Sequence, residues 1–446
     1  MLRRILPAVT LVVAALGIAT PAQAVEGMPA ADGKPMLWPV ATRQQTVTDG
    51  RPERTTQYGF VNSQAELVVP AGYASYSYCA DTDGRAVAVV ASGAEGSDLL
   101  DLTGQVVAQV SYRDASCAGS DHLIVGTAVD GRWETAVVEV STGEEVVGFR
   151  ARQQIDAVAP GLVNVAGPGG EKFIELGSGR VTPHAGRVTV AALEAGAPGV
   201  PAVGRGASGS KPKLGYLSRN GTWLASPQFD AASAFRGGYA VVELNGRSTF
   251  LDAALRRVGG DWDLIRPVTV PAVIGERVVG YWVENDDLQG LLGPELQTVV
   301  QPGPSRIDCE PATGACAVTA PDGSADLVQL PKGGAATLPA GFTRAFTAGL
   351  VAERPVDQPD QTRIRSLTTG RTATLPGRAG CRGVGQWFVT CSGSVVIDGN
   401  GDRTEFTSVV EVPDPTGGIA YYRVTTAREQ GFLDPDGRWR YRAPRG

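Results

Sequence analysis

Histidine is scarce in this sequence: its 446 residues include only His122 and His184. Both occur in turn-rich stretches, without a nearby acid and nucleophile in a recognisable order, and we interpret them as turn or surface residues. The GxSxG motif of many serine hydrolases is also absent. The chain therefore lacks the usual sequence signs of nucleophilic catalysis.

Motifs for metals and phosphates are missing as well. No CxxC spacing occurs, and both histidines lie away from the cysteines. The glycine-rich stretch 204–213 lacks the Gly-Lys-Ser/Thr of a phosphate loop, so we interpret it as a connection. Residues 398–402 alternate oxygen-bearing side chains as a calcium loop does, but Arg403 replaces the expected glycine and no glutamate closes the loop. We predict no cofactor and no bound metal.

The net charge of −6 is small for this length, and acidic and basic residues are mixed along the chain. This pattern does not indicate nucleic acid or an anionic membrane as a partner. After residue 24, no stretch approaches 18 uninterrupted apolar residues, so membrane insertion is not expected.

The first 24 residues have the three regions of a secretory signal peptide. An Arg-Arg pair is followed by an apolar run over residues 5–18, and the small-residue sequence Ala-Gln-Ala ends at Ala24. No cysteine follows the apolar run, which argues against a lipoprotein anchor. We therefore predict a signal peptide over 1–24, cleavage near Ala24, and a secreted or extracellular protein.

The six cysteines are expected to form disulfides in an exported chain, although six permit fifteen complete pairings. One pair flanks the turn in CEPATGAC, and a second flanks a turn and a strand in CRGVGQWFVTC. The remaining two each precede a turn and a strand, one repeat apart. We predict three disulfides: Cys79–Cys117, Cys309–Cys316 and Cys381–Cys391.

Glycine and proline are abundant, at 58 and 30 residues, which favours short β-strands joined by tight turns. The stretch LGYLSRNGTWLASPQFD, residues 214–230, contains a strand, an Asn-Gly turn, a second strand and a proline. The same order occurs at 58–73 and 430–441. Weaker strand–turn–strand echoes fill the rest, roughly every 30 to 45 residues, and this period indicates a repeat fold. They lie near residues 99, 136, 173, 290, 367 and 395.

Residues 214–242 resemble the WG β-repeat. The positions that match this motif are Gly215, Tyr216, Leu217, Gly221, Trp223, Pro227, Phe229, Asp230, Phe235, Gly238 and Ala240. The leading Trp/Tyr of the motif is Leu214 here, whereas Tyr58-Gly59 keeps it in the first copy. The resemblance implies a repeat architecture, and it implies a scaffold without a shared chemistry.

We predict an all-β, propeller-like repeat fold, with a β-solenoid or two smaller propellers as alternatives and the number of blades open. The predicted organisation is a signal peptide over 1–24, an N-terminal segment over 25–57 and a β-repeat domain over 58–446. Within the N-terminal segment, residues 36–40 could add a strand to the last repeat and close the ring.

One acidic region could bind a ligand. Two carboxylates flank the scissile bond in glycosidases, and acids beside aromatic residues are typical of a sugar cleft. The simpler interpretation is a solvated turn before a strand. The candidate residues are Asp261, Asp263, Trp282, Glu284, Asp286 and Asp287.

The favoured function is an exported, non-catalytic binding or scaffold protein that presents a β-repeat surface to a protein or a cell-envelope glycan. The alternative is a carbohydrate-active enzyme that uses acids in the 261–287 region. The two hypotheses differ in whether those acids converge across one cleft.

Overall fold

The structure is a computed structural model. It describes residues 37–48, 51–62, 67–81, 86–129, 131–150, 152–189, 197–205, 212–271, 276–310, 313–331, 334–339, 342–347, 349–354, 360–376, 380–391, 395–413 and 419–444. The predicted signal peptide, residues 1–24, lies outside the described residues. In the described part of the chain, no helix is long and apolar enough to span a membrane.

The strands form eleven consecutive antiparallel sheets, which we number as blades 1 to 11. Blades 1 to 4 are β1 (Trp38–Thr48), β2 (Arg51–Val61), β3 (Leu67–Tyr73); β4 (Ser75–Ala80), β5 (Ala86–Ser92), β6 (Ser97–Asp101), β7 (Val106–Val110); β8 (Asp114–Cys117), β9 (His122–Val129), β10 (Arg132–Glu139), β11 (Glu145–Val147); and β12 (Gln154–Ala159), β13 (Leu162–Gly167), β14 (Gly170–Glu175), β15 (Arg180–His184).

Blades 5 to 8 follow the same up-and-down order. They are β16 (Arg187–Val188), β17 (Val200–Arg205), β18 (Pro212–Leu217), β19 (Trp223–Phe229); β20 (Ala231–Ala232), β21 (Ala240–Leu244), β22 (Arg247–Leu251), β23 (Arg257–Trp262); β24 (Leu264–Pro271), β25 (Glu276–Asn285), β26 (Leu288–Leu292), β27 (Thr298–Gly303); and β28 (Arg306–Cys309), β29 (Ala315–Thr319), β30 (Ala325–Gln329), β31 (Gly334–Thr337).

Blades 9 to 11 complete the series. They are β32 (Phe342–Ala345), β33 (Leu350–Glu353), β34 (Gln361–Ser366), β35 (Thr372–Pro376); β36 (Cys381–Val384), β37 (Phe388–Cys391), β38 (Val395–Ile397); and β39 (Ser408–Pro413), β40 (Ile419–Thr425), β41 (Glu429–Leu433), β42 (Trp439–Pro444). The middle strands carry the buried apolar runs, as in β13, whereas outer strands such as β15 are largely exposed.

The eleven sheets close into one ring. Eleven buried apolar clusters occupy the interfaces between successive blades, and one of them joins blade 11 to blade 1. In that closing cluster, Trp38 packs edge-to-face on Tyr421, with ring centroids 5.2 Å apart. The predicted propeller is confirmed, and it has eleven blades in a single ring.

Contrary to the expectation for residues 36–40, the N-terminal strand does not join the last blade but contributes to ring closure through side-chain packing. Trp38 pairs with Val61, so β1 belongs to blade 1, and the four strands of blade 11 all come from residues 408–444. Closure therefore depends on side-chain packing across the interface. The boundary drawn between residues 57 and 58 falls inside β2.

The predicted repeat coincides with an interface between blades. Residues 214–242 run from the third strand of blade 5 to the second strand of blade 6. Tyr216 packs edge-to-face on Phe229 and Phe235, at 6.2 and 5.2 Å, and its hydroxyl donates to the Ser233 carbonyl at 2.8 Å. The aromatic positions of the motif thus determine how one blade packs on the next.

The motif glycine is required by a close approach of two strands. The pairing of β18 with β19 shifts register around Gly215, and a Cβ there would lie 2.3 Å from the Ala225 carbonyl oxygen. Pro227 follows in the irregular part of β19, where its missing N–H does not interrupt a regular ladder. Gly59 meets the backbone beside Pro70 in the same way, so blade 1 repeats the arrangement.

The three predicted disulfides are present. Cys79–Cys117 joins the first strand of blade 2 to the first strand of blade 3. The other two connect paired strands within blades 8 and 10, namely Cys309–Cys316 and Cys381–Cys391. Three disulfides are consistent with an extracellular protein.

Candidate functional site

The first two predicted acids lie where blade 6 leads into blade 7, Asp261 in β23 of blade 6 and Asp263 between β23 and β24. The Asp263 carboxylate forms an ion pair with Arg247 and accepts a hydrogen bond from the Asp286 backbone N–H at 2.7 Å. Asp261 forms an ion pair with Arg257. The Asp263 contacts join the hairpin tips of blades 6 and 7, whereas the Asp261 ion pair lies within blade 6.

Trp282 and Glu284 lie on the opposite face of blade 7. Trp282 packs in the apolar cluster between blades 7 and 8, beneath the Arg266 guanidinium at 5.3 Å. Glu284 accepts a hydrogen bond from Gln289 at 3.2 Å. The sheet of blade 7 therefore separates this pair from Asp263.

Asp286 and Asp287 form the turn between β25 and β26, and both have left-handed backbone angles, with φ of 49° and 63°. Such angles are tolerated by aspartate in hairpin turns. Of the six predicted site residues, the structure brings together Asp263 and the turn at 286. It does not bring two carboxylates together against Trp282.

A cleft of about 530 Å³ lies between blades 8 and 9. Small residues, Ala317, Gly323 and Ala325, line its blade 8 wall, so the space is not filled as it is by Tyr216 and Phe229 between blades 5 and 6. The remaining lining residues are Arg306, Asp308, Thr319, Asp322, Ser324, Thr337, Leu338, Pro339, Phe342 and Thr343.

Two charged side chains are available in this cleft. Arg306 and Asp308 alternate on β28 and pair with Thr319 and Ala317, so they lie on one face of the strand. Within the described residues, neither has an ion-pair partner. Phe342, half-buried, lines the cleft from blade 9.

The second acid in the cleft, Asp322, is already engaged. Asp322 accepts hydrogen bonds from the Ser324 hydroxyl at 2.6 Å and the Ser324 N–H at 2.9 Å. These hydrogen bonds lower the pKa of Asp322. Its carboxylate stabilises the turn before β30, so Asp308 is the better ligand-binding acid.

A buried carboxylate beside the cleft joins three blades. Glu310 follows β28 in blade 8; its Oε2 accepts from Arg344 of blade 9, and its Oε1 accepts from the Gly383 N–H of blade 10 at 2.8 Å. Burial raises the pKa of Glu310, while the hydrogen bond from Gly383 and the charge of Arg344 oppose the rise. Gln386 adds a hydrogen bond to the Thr313 carbonyl at 3.1 Å. The wall of the cleft is therefore held in place from outside blade 8.

A second buried carboxylate lies between blades 10 and 11. Glu411 accepts a hydrogen bond from the Gly385 N–H, and its other oxygen is buried without a hydrogen-bond partner in the described part of the chain. Burial raises the pKa of Glu411 to about 7, although the charge of Arg382 opposes the rise. The Tyr422 hydroxyl beside it accepts from the Gln386 N–H at 2.9 Å.

The histidines are structural. His122 is 5% exposed at the start of β9, so the surface interpretation is wrong for it, and its Nδ1 lies 2.9 Å from Asp121. His184 contacts Asn164 at 3.0 Å and the Gly186 carbonyl at 2.8 Å. Among the residues that the structure describes, no three His, Cys, Asp or Glu side chains form a group that could hold a metal ion.

The sequence predicted the disulfide next to this cleft but not the cleft residues Arg306, Asp308 and Phe342. The available signal was the alternation in Arg-Ile-Asp-Cys-Glu, which places charged side chains on one face of a short strand. Phe342 had no such signal, because it reaches the cleft from the next blade.

Comparison with known families matches residues 215–247 to the family described as WG containing repeat. The chain thus carries a WG repeat within an eleven-bladed propeller. No curated protein matches the chain.

Three solved structures are among those to which the chain is similar. A eukaryotic initiation factor is 12% identical, with 76% of this chain and 96% of that chain covered and a TM-score of 0.34. TolB from Acinetobacter baumannii is 15% identical, with coverage of 52% and 64% and a TM-score of 0.26. The dihydro-heme d1 dehydrogenase NirN in complex with DHE is 13% identical, with coverage of 72% and 71% and a TM-score of 0.24. The eleven sheets and the interfaces between them define the fold.

Proposed function

We propose that this protein is an exported binding protein whose cleft between blades 8 and 9 receives a segment of a cell-envelope glycan. The propeller fold suits a binding or scaffold role. The observation that carries the proposal is the preformed cleft in which Arg306 and Asp308 have no ion-pair partner in the described residues. The predicted signal peptide over 1–24 and the three disulfides support export.

The lining of the cleft matches the chemistry of a sugar. Arg306 supplies hydrogen-bond donors and Asp308 supplies acceptors for hydroxyl groups. Phe342 provides an apolar surface for the C–H face of a pyranose ring. The volume of about 530 Å³ lies within the range of roughly 300–1,000 Å³ that is usual for small-ligand sites.

Rigidity of the cleft wall favours affinity, because a preformed site loses little conformational entropy on binding. The Cys309–Cys316 disulfide closes the hairpin next to Asp308, and Glu310 anchors it to blades 9 and 10. The ligand therefore meets a surface that is already ordered.

The test is isothermal titration of the mature chain, residues 25–446, with defined oligosaccharides: N-acetylglucosamine oligomers, soluble peptidoglycan fragments and neutral hexose oligomers. We expect saturable binding to at least one class. The variants Asp308→Asn and Phe342→Ala should each weaken that binding about tenfold or more, which corresponds to roughly 1.4 kcal/mol.

Asp326→Asn is the matched control, because Asp326 lies in the same blade on the face away from the cleft. Its affinity should equal that of the unmodified protein. The proposal fails if no oligosaccharide saturates the protein, if only a protein partner binds, or if Asp308→Asn behaves like Asp326→Asn.

A further inference from the structure

Trp133 is unusually exposed for a tryptophan of this protein. The chain has seven tryptophans, and six are buried or half-buried, whereas 59% of Trp133 is exposed. Aromatic side chains of this size usually stabilise a fold by burial. An exposed tryptophan therefore needs either a local reason or a ligand.

The local sequence holds the indole against the sheet. Trp133 lies in β10, diagonally across from Gly126 in β9, and a Cβ at Gly126 would be 2.4 Å from the indole Cζ2. Because glycine has no side chain, the indole can lie over the strand. The ring is thereby held in position while most of its surface stays open.

An acidic side chain lies beside the ring. Asp114 in β8 pairs with Gly126, and its Oδ2 lies 3.0 Å from the same Cβ position that the indole approaches. The carboxylate and the indole therefore share one face of blade 3. In the part of the chain that the structure describes, Asp114 has no ion-pair partner.

The next blade contacts this face at Thr135. Gln153, which precedes β12 of blade 4, donates to the Thr135 carbonyl at 3.3 Å and accepts from the Thr135 hydroxyl at 3.4 Å. Trp133 lies two residues nearer the hairpin tip. Among the described residues, the hydrogen bonds between these two blades therefore reach Thr135, while 59% of Trp133 stays exposed.

We propose that Trp133 and Asp114 form a saccharide-binding site on blade 3, in which the indole stacks on the C–H face of a pyranose and the carboxylate accepts a hydroxyl hydrogen bond. The inference rests on blade 3 alone and is independent of the cleft between blades 8 and 9. A single aromatic ring beside the exposed, charged Arg132 is too small a surface for a stable protein interface, which buries about 800 Å² per partner.

Titration calorimetry on the mature chain with tetrasaccharides of N-acetylglucosamine, glucose and galactose tests this site. Trp133→Ala and Asp114→Asn should each weaken binding of at least one tetrasaccharide about tenfold, and Trp133→Phe should retain part of the affinity. To isolate blade 3, each variant is also made in the background of Phe342→Ala, which lacks the aromatic wall of the cleft.

Val129→Ala is the matched control, because Val129 is 40% exposed in the same hairpin but lies on its other face. Thermal unfolding verifies that each variant is folded. The inference is overturned if Trp133→Ala binds every tetrasaccharide as Val129→Ala does in both backgrounds. It is also overturned if the site binds only a cationic amine such as tetramethylammonium. Loss of binding in Phe342→Ala alone, with Trp133→Ala unaffected, would support the cleft and refute the blade 3 site.

Discussion

Glu310 and Arg344 form an ion pair in which Nε and Nη2 of the guanidinium both donate to one carboxylate oxygen, at 3.0 and 2.6 Å. The Glu310 side chain is 2% exposed, whereas that of Arg344 is 45% exposed. The other Glu310 oxygen accepts from Gly383. One side chain of blade 8 thus links blades 9 and 10, and it does so next to the proposed glycan cleft.

Replacing Glu310 by alanine should destabilise the protein by roughly 1–3 kcal/mol, because the buried Gly383 N–H loses its acceptor and Arg344 loses its partner. Chemical denaturation followed by circular dichroism measures the change. Asp402→Ala is the control, since its ion pair with Arg371 is exposed on both sides and should contribute at most about 1 kcal/mol. Equal losses in the two variants would show that the Glu310 links contribute little.

Glu411 should make stability depend on pH. Because burial raises its pKa in the folded protein to about 7, the folded state keeps a proton that the unfolded chain releases at lower pH. The resulting stabilisation is complete below the ordinary glutamate pKa and is lost as the pH rises through about 7. The unmodified protein should therefore lose unfolding free energy between pH 5 and pH 8, whereas Glu411→Gln should not. The stability of Glu411→Gln relative to the unmodified protein should be roughly 1–3 kcal/mol higher at pH 8 than at pH 5.

Thermal unfolding at both pH values measures this difference. The exposed Glu295→Gln is the control and should show the same difference from the unmodified protein at both pH values. The prediction would be contradicted if the difference in melting temperature between Glu411→Gln and the unmodified protein were the same at both pH values.

Gly215→Ala should destabilise the chain by roughly 1–3 kcal/mol, since the added Cβ would meet the Ala225 carbonyl oxygen at 2.3 Å and force the strands apart. Gly167→Ala is the matched control in a strand, because a Cβ there meets nothing within 4 Å. Urea denaturation measures the free energy of unfolding of both variants. A Gly215→Ala variant as stable as Gly167→Ala would refute this account of the motif glycine.

The disulfides should differ in their contribution to stability. Cys79–Cys117 closes a segment of 38 residues and Cys309–Cys316 one of 7, and a longer closed loop restricts the unfolded chain more. Replacing both cysteines of the first pair by alanine should cost about 2–4 kcal/mol, and replacing the second pair should cost less. Unfolding in guanidinium chloride measures the two losses, and the variant without Cys79–Cys117 should have the lower midpoint. A lower midpoint for the variant without Cys309–Cys316 would contradict the loop-length argument.

Much of the local structure was predictable because short-range chemistry determines it. The hairpins at 58–73, 214–230 and 430–441 follow from short polar segments between apolar strands, and this segment contains glycine in the second and third. The strands β18 and β19 form where that pattern indicates. Two disulfides followed from local spacing, because each hairpin brings its own cysteines together. Cys79–Cys117 followed instead from the equivalent positions of its cysteines in successive repeats. The match of 215–247 to the WG containing repeat agrees with the resemblance seen in those residues.

In the acidic region, strand alternation separates residues that are close in sequence. Trp282 and Glu284 are close in the chain to Asp286, but strand alternation places them on the face toward blade 8, and Asp263 lies on the face toward blade 6. A linear stretch of acids and aromatics therefore became two separate sets of contacts.

By itself, the sequence determined the all-β class, the repeat, the turns and the two cysteine pairs within hairpins, because each depends on residues that are close in the chain. Only the tertiary structure decided that there are eleven blades, that Trp38 packs on Tyr421 to close the ring, and that Phe342 and Asp308 line one cleft. These features depend on packing between segments that are distant in sequence or belong to different blades, and the volumes of side chains across each interface decide which space is filled and which stays open.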